Sequence, residues 1–185
     1  KVINVLGADH HGHALRFRKA MPALDIDPER LDFILMQLVL LVRNGETVKV
    51  SKRTGKAISL SDLLDEISCD AARFFFNAKP NTHLEFDLDL AVRQDSENPV
   101  YYVQYAHARI CSLMKALAEE GEAVRPVSEI DISLLSEYAE RELIKQLAQL
   151  PEEIKLAARD YDPSRINRYL VELAAGRLRQ VVQHA

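Results

Sequence analysis

A chain of 185 residues with 48% hydrophobic and 28% charged side chains has enough apolar material for one medium domain or two small ones. Six Gly and seven Pro leave no low-complexity tract, and the longest apolar run, Phe33 to Val42 with Gln37 inside it, falls well short of the roughly 20 residues a membrane helix needs. A net charge of −4 excludes general coating of nucleic acid but leaves room for local basic patches.

In chain order, Val2 to Leu6 is a short apolar stretch ended by Gly7 and reads as a buried parallel strand. His13 to Met21 reads as a short basic helix stopped by Pro22, and Phe33 to Val42 is the next apolar run. Asn44-Gly45 then predicts a hairpin turn, since both residues tolerate positive φ, with Thr47 to Val50 as the returning strand. Ser51 to Gly55 is a polar, basic loop. Ser59 and Asp62 have capping-box spacing, followed by Leu60, Leu63, Leu64 and Ile67 at helical period. Asp70 to Ala78 is a second short helix, broken at Lys79-Pro80-Asn81. Glu85, Asp87, Asp89, Asp95 and Glu97 form an acidic joint. Asn98 caps a long helix with Pro99 in its first turn and an apolar stripe of Val100, Val103, His107, Ile110, Met114 and Leu117. On that stripe His107 reads as a satisfied core histidine. Helices are expected at about Ile132 to Gln149, Pro151 to Ala158, and from Asp162-Pro163-Ser164 to Val182. A boundary near Asp95 separates mixed α/β from all-α sequence.

Cys69 and Cys111 form no CxxC and read as reduced, buried small hydrophobes of a cytosolic protein. Lys1 leads into a strand with no initiator Met or signal peptide, so the sequence is expected to begin inside a longer protein.

The segment Arg43 to Lys56 carries five cations (Arg43, Lys49, Lys52, Arg53, Lys56) against one acid, Glu46. A Gly-ended loop rich in cations suits a polyphosphate and can neutralise charge on departing pyrophosphate; a solvated basic hairpin without a ligand has the same composition. Gly7-Ala8-Asp9-His10-His11-Gly12-His13 stands at a strand end, where open α/β sheets bind ligands. Metal binding and simple strand-end capping are the other readings of its histidines. No second Cys or His cluster completes a metal set, so no metal site is expected.

Lys49-Val50-Ser51-Lys52-Arg53 resembles the K-M-S-K-S signature of class I aminoacyl-tRNA synthetases, with Val50 and Arg53 as departures; an M-S-K-R form followed by Thr-Gly-Lys is familiar among arginyl enzymes. Gly7 to Gly12 resembles the G-A-D-H-H-G segment of arginyl-tRNA synthetases. Cys69 to Phe74 resembles the G-x-D-A-x-R segment that follows the lysine loop, where Asp70 and Arg73 are placed to pair. Asn98 to Arg109 resembles the helix that opens the anticodon-binding domain, with Tyr101, Tyr102 and Tyr105 available for base stacking or for packing between domains. The resemblance runs from about Val5 to about Ala175.

It implies a mixed, predominantly α chain. Residues 1–95 would be the end of a class I Rossmann-type catalytic fold with a β-hairpin and lysine loop. Residues 96–185 would be an incomplete, all-α DALR-type anticodon-binding domain. The implied function is part of an arginine–tRNA ligase, with Lys52 as catalytic residue helped by Lys49 and Arg53, and with Gly7, Asp9, His10, His13 and Ser51 lining the nucleotide and arginine site. ATP is the implied substrate, with Mg2+ in the full-length enzyme and no prosthetic group. The implied partners are arginine and tRNA(Arg), in a cytoplasmic, non-membrane monomer. The upstream H-I-G-H signature is absent from this sequence, so the chain alone is expected to be inactive. A non-catalytic synthetase-derived RNA- or protein-binding module is the alternative, and another nucleotidyl transferase of the same sheet type is a third reading. Arg165, Arg168 and Arg179 fall near one face of the last helix, either as a stripe facing tRNA or as a solvated face.

Overall fold

A computed structural model describes residues 1–48, 58–80 and 82–178, with side chains to residue 175. The chain forms two compact units, Lys1–Asp89 and Leu90–Ala185.

The first unit opens with strand β1 (Val2–Gly7), which pairs in parallel with β2 (Leu31–Met36) from Val2 opposite Leu31 to Gly7 opposite Met36. Helix α1 (His11–Ala20) makes the crossover and buries Ala14. Its Phe17 meets Phe33 of β2 edge-on at 6.2 Å, and the Arg18 guanidinium lies 5.9 Å over the same ring while donating to the Leu31 carbonyl at 2.9 Å. Pro22 ends the α-helix by opening a 3₁₀ turn (Met21–Leu24) closed by Asp25 at φ 55. β1 is not a buried strand: Val2 is 61% and Val5 58% exposed. A two-stranded sheet with one crossover helix leaves most of its surface uncovered.

The apolar run at Phe33 to Val42 is divided between two strands. Gln37 and Leu38 separate β2 from β3 (Val39–Arg43), which enters a different sheet of order β4-β3-β5. β3 turns back through Asn44 (φ 51) and Gly45 (φ 75) into β4 (Glu46–Thr47), as the Asn-Gly pair requires. The returning strand is two residues long within the described chain, with Val48 N–H still donating to the Leu41 carbonyl at 2.7 Å.

The acidic joint hides a strand. β5 (Leu84–Asp87) runs parallel to β3, with Leu84 and Phe86 buried and Glu85 exposed. This alternation spans four residues and is easily masked by the acids around it. Phe86 is fully buried between Phe75 and Phe76 of α3 (Cys69–Ala78), at centroid distances of 5.3 and 5.2 Å. Before it, α2 (Leu60–Glu66) begins at the expected capping box: Ser59 Oγ accepts from Asp62 N–H and the Asp62 carboxylate accepts from Ser59 N–H. Of the apolar positions expected around α2, Leu63 and Ile67 are buried, whereas Leu60 is 65% exposed.

The second unit is helical. After the short α4 (Leu88–Val92), Asn98 caps α5 (Pro99–Glu119), its Oδ1 accepting from Val100 and Tyr101 N–H. The amide nitrogen donates back to the carbonyls of Ala91 and Arg93 at 3.2 and 2.8 Å. The next long helix differs from the expected pair broken at proline: α6 (Tyr138–Asp160) is continuous through Pro151. Proline removes one donor, that to the carbonyl of Leu147, but Leu147 is 47% exposed, so water can take the donor's place. One turn away, the buried Tyr169 hydroxyl donates to the Gln146 carbonyl at 3.1 Å, which ties α7 (Ser164–Glu172) to α6. Residues Leu173–Leu178 continue as a π-helix. Among the described residues, no helix is long and apolar enough to cross a membrane.

Candidate functional site

Two candidate regions lie in the first unit. One is the carboxyl end of β1. Gly7 has φ −66 and ψ 152, a conformation open to any residue, so its role is spatial. A Cβ at this position would come within 2.5 Å of Asp9 Oδ1 and displace the carboxylate. Ala8–His10 form a 3₁₀ turn that runs directly into α1, which therefore begins at His11, two residues before the expected start. His10 Nε2 lies 3.8 Å from Asp9 Oδ2, and the two side chains are 55% and 82% exposed. The His10 ring meets His13 edge-on at 6.3 Å, and His13 continues to Phe17 at 5.8 Å. The fold thus brings Gly7, Asp9, His10 and His13 together at a strand end, on a row of rings that reaches β2 through Phe17. These groups offer an acceptor and two imidazoles to an open face. Among the described residues, no three His, Cys, Asp or Glu side chains cluster as a metal set.

The other region is the β3–β4 hairpin. Lys49, Ser51, Lys52 and Arg53, the residues assigned to the basic loop, lie outside the described residues, as do Gly55 and Lys56. The stems on either side are described. Asp89 Oδ2 accepts from Asn44 N–H at 2.6 Å and fixes the hairpin turn. Arg43 donates to both Glu66 carboxylate oxygens, joining the strand before the loop to the helix after it. Arg43 is therefore an ion-pair partner rather than one more free cation for a phosphate. Sequence reasoning missed Asp89 and Glu66. They are 45 and 23 residues from their partners, and no local pattern marks such pairs.

Other expected residues fall differently. Asp70 and Arg73 are both exposed and make no ion pair with each other among the described residues. Cys69 and Cys111 are exposed, not buried. His107 is exposed as well: among the described residues the α5 stripe is buried at Val100 and half-buried at Val103 and Ile110, while Met114 is 49% exposed. Tyr101 and Tyr105 stack on each other at 6.1 Å, with Tyr105 51% exposed. Arg165 pairs with Glu153 at 3.3 Å and Arg168 with Asp162 at 3.9 Å, so both are engaged by acids of their own unit; Arg179 lies outside the described residues.

Comparison with known proteins places this geometry. The DALR anticodon binding domain family matches residues 103–176. The arginine–tRNA ligase of Acetivibrio thermocellus is 55% identical over 176 residues, covering 95% of this chain and 31% of the relative. That of Caldanaerobacter subterraneus subsp. tengcongensis is 55% identical over 175 residues, covering 94% and 31%. A Campylobacter jejuni structure assigned as an arginyl tRNA synthetase superposes with a TM-score of 0.86 at 36% identity, over 100% of this chain and 40% of that one. The Thermus thermophilus arginyl-tRNA synthetase superposes with a TM-score of 0.73 at 23% identity, over 99% of this chain and 33% of that one, a likeness of fold alone. The chain spans about a third of the length of the curated relatives it matches. The resemblance read from its motifs is thereby borne out, and the chain belongs to the arginyl-tRNA synthetase family.

Proposed function

We propose that this chain is the C-terminal part of an arginine–tRNA ligase, contributing the lysine loop of the catalytic domain and the first helices of the anticodon-binding domain. The observation that carries this reading is identity above half, across nearly the whole chain, with relatives named arginine–tRNA ligase. In the complete enzyme, the arginine carboxylate attacks the α-phosphate of ATP, pyrophosphate leaves, and the arginyl group passes to the terminal ribose of tRNA(Arg). Mg2+ would enter with the triphosphate as part of that substrate.

The first unit would complete a Rossmann-type sheet with strands from elsewhere in the protein, which accounts for the uncovered apolar faces of Val2 and Val5. Gly7, Asp9, His10 and His13 would then sit at the carboxyl edge of that sheet, where nucleotides bind. Lys52 would place an ammonium against charge growing on the leaving pyrophosphate, with Lys49, Arg53 and Ser51 beside it. The Arg43–Glu66 pair and the Asn44–Asp89 bond support this by fixing the stems of the loop. The protein would work in the cytoplasm.

Lys52→Ala in the full-length enzyme tests the proposal. A cation that meets its partner charge mainly in the transition state acts on rate, and losing one such donor costs about 3 kcal/mol, on the order of a hundredfold in rate. Pre-steady-state arginine activation should slow by that factor while arginine binding changes little. Activation within a few-fold of wild type would remove Lys52 from the role.

A further inference from the structure

We propose, resting on the ligase reading for the RNA partner, that Tyr105 and Arg109 of α5 hold an unpaired nucleotide of the tRNA, Tyr105 stacking on its base and Arg109 meeting the adjacent phosphate. At about 100° per residue, Tyr101, Tyr105, Ala108, Ser112 and Lys115 share one side of α5. Val103 and Ile110, both half-buried, lie on the opposite side. The tyrosines therefore stand on the side turned away from the helix's own packing. Their rings stack on each other at 6.1 Å and 19°, and Tyr105 is still 51% exposed. Arg109 follows Tyr105 by one turn, is exposed, and makes no ion pair among the described residues.

The charge pattern favours a polyanion. No Asp or Glu stands between Glu97 and Glu119 in a chain that carries 28 acids, whereas Arg109 and Lys115 fall inside that stretch. Lys115 is 78% exposed and meets Glu119 only at 3.8 Å. An acid-free helix in an acidic chain does not repel phosphates, and exposed rings beside cations are the groups that hold single-stranded nucleic acid. Paired bases are already stacked on both faces, so a ring of this kind suits an unpaired one. Nothing in the proposed activation step uses either side chain.

The test titrates labelled tRNA(Arg) with the full-length enzyme and its variants at several salt concentrations. Tyr105→Ala should weaken binding about tenfold, within the range for one stacked base, and leave the salt dependence unchanged, because stacking releases no counterions. Tyr105→Phe keeps the ring and should bind like wild type. Arg109→Gln should weaken binding and reduce the slope of log affinity against log salt by about 0.7 to 0.9, the value of one phosphate contact. A loss below about threefold in Tyr105→Ala overturns the proposal. So does an unchanged slope in Arg109→Gln, or a Tyr105→Phe variant as weak as Tyr105→Ala. If Tyr105 packs against protein instead, Tyr105→Ala lowers the urea midpoint while tRNA affinity holds, which also overturns it. Should far-UV circular dichroism show Tyr105→Ala misfolded, Tyr105→Leu, apolar but without a ring, is judged by the same criterion. Failure of these variants leaves the ligase reading intact, since charging of tRNA(Arg) by the wild-type enzyme is measured separately; absence of that charging would remove both.

Discussion

Asn98 is the residue on which the start of the helical unit turns, and its removal has a calculable cost. The side chain is 3% exposed and makes four hydrogen bonds. The two accepted by Oδ1 are a helix cap, for which truncation to Ala costs about 1 kcal/mol. The two donated by Nδ2 satisfy the buried carbonyl of Ala91 and the part-buried carbonyl of Arg93, and leaving such acceptors without their donor costs about 1 kcal/mol each. Asn98→Ala should therefore destabilise the unit by about 3 kcal/mol, a large part of the 5–15 kcal/mol typical of a domain. Asn98→Asp keeps both acceptor bonds and loses both donors, so it should cost about 2 kcal/mol despite the favourable charge at a helix N-terminus. Urea unfolding followed by circular dichroism measures both. A cost below about 1 kcal/mol for Asn98→Ala would refute the reasoning as a whole. An Asp variant as stable as wild type would show that only the cap matters and the tie to α4 does not.

Phe86→Ala should destabilise the first unit by about 3–5 kcal/mol, because a fully buried ring between Phe75 and Phe76 leaves a cavity that β5 cannot close; urea unfolding checks it. Hydrogen bonds from Ser59 hold the Asp62 carboxyl below its usual range, so its contribution to α2 is present above the ordinary carboxylate pKa and is lost as pH falls through the depressed value. Amide exchange in the first turn of α2 should accordingly show less protection relative to later turns at acid pH in wild type, and no such change in Asp62→Asn. Burial raises the Tyr169 phenol above its usual value near 10, so the folded state favours the neutral form. Stability of the helical unit should hold below that pH and fall as pH rises through the raised value, and Tyr169→Phe should flatten the fall; unfolding midpoints from pH 8 to 11 would show it, at about those values.

What the sequence determined by itself is local. The Asn44-Gly45 turn, the Ser59–Asp62 capping box, the Asn98 cap with Pro99 behind it and the stop at Pro22 all depend on residues within a few positions of each other. Steric and hydrogen-bonding rules over that range hold whatever the surroundings. The motif segments at Gly7, Lys49, Cys69 and Asn98 were likewise legible, because family membership is written in the order of residues rather than in their contacts. Tertiary structure decided everything that depends on what lies across from a residue. Pro151 ends a helix by propensity, yet α6 passes through it, tied to α7 on both sides of the proline, at Gln146 by Tyr169 and at Glu153 by Arg165. Leu84 to Asp87 became a strand because β3 offered an unpaired edge, and His107 and Cys111 became surface groups because, among the described residues, their face of α5 is left exposed. Arg43, counted as a free cation by composition, was claimed by Glu66 from 23 residues away. Burial and pairing are properties of the neighbour brought in by the fold, and a linear pattern carries only half of each such contact.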